Sequence, residues 1–166
     1  MDVVVLEGEL ADSPGIVAGS ARRIGQSALV LVRSRRTAEI EQPDELPKAA
    51  FPHFLLPDPA QNPSGAAAKA WLAQTKAGST TLLDALEPRL LLEPDARATL
   101  AELERRGHTM GVVLKIDLAA AKTIKPFFEL PTAPIPFTAA VVRGPDEKRA
   151  AKFVKVLAER GIAAAP

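Results

Sequence analysis

Six apolar runs, at 3–6, 28–32, 54–56, 90–92, 110–114 and 135–142, recur along the chain, each shorter than an ordinary helix and closed by turn or charged residues. Runs of this length with Val, Leu and Ile are what buried strands look like. Between them lie stretches with helical character. Residues 66–77 are alanine-rich, 79–86 form a shorter helical stretch, and 95–106 carry Ala96, Leu100 and Leu103 at helical spacing before Gly107. Gly144-Pro145-Asp146-Glu147 opens a last helix whose stripe is Ala150, Phe153, Val154, Leu157 and Ala158, with Arg160-Gly161 as its stop. Helical turns are expected in Gln42-Pro43-Asp44-Glu45-Leu46-Pro47 and at 117–122, and other turns at Ser13-Pro14-Gly15 and Gly19-Ser20. Strands alternating with helices predict α/β layers around a mostly parallel sheet. The run 3–6, closed by Glu7-Gly8, is expected to be a strand buried on both faces of such a sheet, and Pro136 confines its end of the last strand to an edge or a strand start.

The chain's 166 residues suffice for one ordinary domain or two small lobes. Apolar residues make up 47% and charged residues 25%, so the chain is an ordinary soluble globular protein. A net charge of +1 gives no field that would gather nucleic acid or an anionic membrane, and no apolar run approaches a membrane span. Without cysteine there is no disulfide, thiolate site or thiol nucleophile. His53 and His108 have no second ligand at metal-binding spacing, so neither a metal nor a cofactor is expected. No nucleophile elbow, phosphate loop or dinucleotide fingerprint occurs, and Glu102 and Glu104, two apart on a helix, share no face, so no enzyme is expected. The start, Met1-Asp2-Val3-Val4-Val5, has no secretory features, so a cytoplasmic location is expected for the chain as it stands and a periplasmic one if a leader has been removed.

Three features are candidates for binding. Asn62-Pro63-Ser64-Gly65 leads into a helix, and the free N–H groups of such a start attract an anion; a serine there is equally a helix cap. Asp95-Ala96 opens another helix, again with a capping alternative. Arg33, Arg35 and Arg36 form a dense basic cluster, a phosphate contact or a solvated loop. Trp71 reads as a core anchor.

Several stretches in order resemble the type II periplasmic solute-binding proteins of the molybdate-binding kind. They are Asp2-Val3-Val4-Val5-Leu6, Ile16-Val17-Ala18-Gly19-Ser20-Ala21-Arg22-Arg23, Ser27-Ala28-Leu29-Val30-Leu31-Val32, Pro57-Asp58-Pro59 with Asn62-Pro63-Ser64-Gly65 and Ala68-Lys69, Glu93 to Leu100, Gly111-Val112-Val113 before Asp117, and Thr138-Ala139-Ala140-Val141-Val142. The resemblance implies a type II periplasmic-binding α/β fold. One lobe, 36–130, would be complete, with a mixed, mostly parallel sheet; a partial second lobe would comprise 1–35 and 131–166. It also implies a non-enzymatic receptor of an ABC importer, with a small oxyanion or other small molecule as ligand and a permease as partner. Ser64, Gly65, Asp95 and Ala96 would be ligand-binding. The family has a first-lobe segment ahead of the strand at 3–6, and a tyrosine where this chain has Leu114, so impaired or altered binding is expected. An uncovered strand 2–6 and helix 146–160 would join two copies as a homodimer. The alternatives are a cytoplasmic ligand-sensing domain of a regulator and a structural remnant acting through protein contacts.

Overall fold

The structure is a computed structural model and describes residues 2–9 and 14–161; Ser13 of the first expected turn lies outside them. The chain divides into two compact units, Ala28–Ala133 and the pair of segments Met1–Ser27 and Pro134–Pro166, so it passes between units twice.

In the unit Met1–Ser27 with Pro134–Pro166, β1 (Val3–Glu7) and β2 (Arg22–Ser27) flank β10 (Ile135–Val141) in a three-stranded antiparallel sheet, numbered in chain order with the strands below. Val3 stands opposite Val141 and Glu7 opposite Phe137. This corrects the expectation for 3–6: β1 is an antiparallel edge strand, with Val5 47% and Leu6 42% exposed. A continuous apolar run reports hydrophobicity alone, while burial on both faces needs a layer packed over each face of the sheet. Pro136 sits one residue into β10, the central strand, at the start its missing N–H permits. The helix α4 (Glu147–Arg160) lies over β2 and β10, burying Ala150 and Val154 against Ile24, Ala139 and Val141. Of its expected stripe, Phe153 remains exposed.

In Ala28–Ala133 a five-stranded sheet runs β7 (Leu90–Glu93), β4 (His53–Pro57), β8 (Thr109–Leu114), β3 (Leu29–Ser34) and β9 (Ile124–Glu129). β7, β4 and β8 are mutually parallel, and β3 is antiparallel to both β8 and β9. The helix α3 (Ala96–Arg106) covers one face, where Leu100 and Leu103 meet Val30, Val32, Leu55 and Val113. On α1 (Pro63–Gln74), Trp71 is 9% exposed and stacks on Phe128 with ring centroids 5.9 Å apart, a core anchor. A two-residue hairpin pair, β5 (Lys76–Ala77) and β6 (Thr80–Thr81), leads into the short α2 (Leu82–Leu86). Arg89 ties down the 3-10 turn Pro43–Lys48 and its flank: its guanidinium donates to the carbonyls of Leu46, Pro47, Ala49 and Phe51 and lies 4.3 Å from the Phe51 ring centroid.

Candidate functional site

The parallel strands β4 and β7 end side by side, with Pro57 opposite Glu93 and the Asp58 N–H donating to Glu93 O at 2.7 Å. Each then turns into a helix, so two helices begin at the carboxyl ends of neighbouring parallel strands. Open α/β sheets commonly bind ligands at such strand ends.

Asp58 organises the first turn. Its carboxylate accepts from the Ala60 N–H at 2.9 Å and from Gln61 Nε2 at 2.7 Å, and its carbonyl accepts the N–H groups of Gln61 and Asn62. Asn62 is the N-cap residue of α1, its carbonyl taking the first helical bond from the Ala66 N–H. Its side chain does not cap. Nδ2 donates instead to Asp58 O at 3.1 Å and to Pro94 O at 2.6 Å, which pins the start of α1 beside the start of α3.

The capping reading of Ser64 is therefore corrected: Asn62 holds that place because proline is favoured at the first helical position and Pro63 occupies it. Ser64 and Gly65 follow in the first turn, Ser64 fully buried. A Cβ on Gly65 would lie 2.2 Å from Pro57 O, so the glycine lets α1 press onto the end of β4. Ala96 is buried as the first residue of α3. Asp95 is the exposed N-cap of α3, its Oδ1 accepting from the Ala98 N–H at 2.7 Å and its carbonyl from the N–H and hydroxyl of Thr99.

The four sequence candidates thus fall on two adjacent helix starts, joined through Asn62, a residue the motif contained without a role. The two starts differ in charge. α1 has neither a side-chain cap nor an acidic residue in its first turn, whereas Asp95 seats a carboxylate on α3. Leu114, at the end of β8, is buried and offers no donor.

In the other unit, the loop Val17, Ala18, Gly19 and Ser20 and the α4 residues Ala151 and Lys155 line an open depression of ≈ 530 Å3. Its polar groups are committed locally: Arg22 donates to Gly19 O and Ala21 O, and Ser20 Oγ accepts from the Val141 N–H. Among the described residues no cluster of His, Asp or Glu could hold a metal ion, and no helix is long and apolar enough to cross a membrane.

Two α/β units connected twice, with helix starts gathered at parallel strand ends, define a ligand-binding fold of the periplasmic receptor type. The sequence matches the family described as bacterial extracellular solute-binding protein over residues 1–165, and the chain belongs to that family. No individual curated protein matches it. Among solved structures it is similar to the Azotobacter vinelandii periplasmic molybdate-binding protein, at 16% identity and a TM-score of 0.69, covering 99% of this chain and 78% of that one. It is similar also to the substrate-binding domain assigned to a molybdenum ABC transporter from Clostridium difficile, at 19% identity and 0.63, covering 95% and 70%. The regulatory domain of OxyR2 from Vibrio vulnificus in its reduced form shares the fold at 11% identity and 0.56, covering 96% and 71%.

Proposed function

We propose that the chain is a non-catalytic solute-binding component of an importer, taking a small oxyanion at the paired starts of α1 and α3, with weakened affinity. The observation that carries the reading is the Asn62 bridge, which sets an uncapped helix start beside a second one at the ends of β4 and β7. Backbone N–H groups and helix dipoles bind anions without a cationic side chain. The weakening follows from the Asp95 carboxylate at α3 and from Leu114, which donates nothing.

Millimolar molybdate, tungstate or sulfate should raise the melting temperature by mass action, while isothermal titration should give dissociation constants weaker than about 1 μM. Micromolar or tighter molybdate binding would overturn the weakening. No shift from any oxyanion would instead favour a remnant acting through protein contacts. The fold shared with OxyR2 supports a second reading, a ligand-sensing domain of a regulator. A DNA-binding domain encoded in the same reading frame decides for it.

For assembly we propose a homodimer through residues 2–6 and 146–160. Among the described residues β1 pairs with β10 alone, and Val5, Leu6, Phe153 and Val156 are exposed, which supports it, since two copies carry the same surface and a two-fold axis satisfies both. A permease as partner follows from the importer reading.

A further inference from the structure

A second charged feature lies at the opposite end of α3, about 16 Å along a helix of 11 residues. There Arg35 and Arg36 face Arg105 and Arg106 across a pocket of ≈ 290 Å3 that Glu104 and Thr123 also line. Arg105 and Arg106 share one carboxylate, Glu102, and both suit the negative end of the helix dipole. Arg35 and Arg36 have no such reason to be there, and among the described residues neither has an acidic partner. Glu104 Oε1 is turned to the backbone, accepting the N–H groups of Lys122 and Thr123.

The turn that carries the two arginines is held by buried hydroxyls. Ser34 Oγ lies 2.8 Å from Thr37 Oγ1 and accepts from the Thr109 N–H at 3.0 Å, while Thr37 Oγ1 donates to Thr109 O at 3.2 Å. Ser34, Thr37 and Thr109 are all nearly inaccessible. This clamp fixes the turn to the start of β8, directly after α3 ends, so four arginines line one pocket, with Glu104 the one acidic residue among its described lining. Like charges held together in this way are unfavourable unless an anion joins them. Arginine forks match phosphate oxygens in pairs.

We propose that this pocket is an anion site for phosphate-type polyanions, separate from the starts of α1 and α3. The phosphate chemistry is shared by free pyrophosphate and by a nucleoside diphosphate, and titration of the full chain with inorganic pyrophosphate and with ADP separates the two sources. At low salt, at least one should bind with a dissociation constant below about 1 mM. Arg35→Gln/Arg36→Gln should weaken it about tenfold or more, and Lys48→Gln/Lys76→Gln, which removes the same charge elsewhere on the unit, less than about twofold. All four side chains are exposed, so the fold is retained, which circular dichroism checks. Equal losses in the two variants, or no binding of either probe to the wild type, would overturn the proposal. Tighter ADP binding assigns the site to a phosphate carried on a nucleoside; equal affinities assign it to the phosphate chemistry alone.

Discussion

Gly65→Ala separates what helix propensity expects from what the packing requires. In an exposed helix, replacing glycine by alanine stabilises by about 1 kcal/mol, through lost freedom in the unfolded chain. Here the added Cβ would sit 2.2 Å from Pro57 O and 2.8 Å from Pro57 C, both backbone atoms at the end of β4. An ordinary C···O contact is about 3.3 Å, so α1 would have to retreat by about 1 Å from a strand whose residues are buried. Overpacking against side chains costs about 1–3 kcal/mol, and backbone yields less readily, so a net loss of about 3 kcal/mol is expected. Trp71, the sole tryptophan, lies on the same helix, so its fluorescence during urea unfolding reports this unit. With a slope of about 2 kcal/mol per M, the midpoint should fall by about 1.5 M. Gly78→Ala is the control. Gly78 has φ +68° but nothing within 4 Å, so only the left-handed backbone opposes a side chain, at about 1–2 kcal/mol. If Gly65→Ala is neutral or stabilising, the close approach of α1 to β4 is wrong, and with it the geometry of the candidate site.

Asn62→Ala removes both donations that pin the helix starts together and should cost about 1–2 kcal/mol in the same assay, with weaker oxyanion stabilisation. Asp95→Asn retains an accepting oxygen for the Ala98 N–H, so stability should change by less than about 0.5 kcal/mol while oxyanion affinity rises about threefold at low salt; unchanged affinity would remove α3 from the site. Bonds from Arg105 and Arg106 hold the Glu102 carboxyl down from 4.5 to about 2, so its contribution is complete above its unfolded titration and is lost as pH falls toward 2. Glu102→Gln should therefore lower the melting temperature at neutral pH and flatten its decline between those values; a parallel acid limb would refute the pairing. Light scattering at micromolar concentration should show twice 17.6 kDa, and a clean monomer would exclude the proposed assembly.

Much of the local structure was legible in the residues because it depends on a few neighbours. Asp95 caps α3 and Gly107 closes it at φ +74°, as side-chain reach and glycine's freedom dictate. The runs at 28–32, 54–56 and 110–114 are strands because so many apolar residues have nowhere else to go. By contrast, β2, with the sequence RRIGQS, and β9, with IKPFFE, carry weak strand signals and exist because β10 and β3 supply their hydrogen bonds. The same dependence on partners made β1 an edge. In the candidate site the motif around Ser64 and Gly65 was visible, yet only the folded chain showed Ser64 buried, Asn62 as the cap residue and Gly65 against Pro57. The bond from Asn62 to Pro94 spans 32 residues, and the hydroxyl clamp from Ser34 to Thr109 spans 75. Contacts at such separations are set by which strands lie side by side, a choice made by burial and pairing over the whole unit and written in no local stretch of residues.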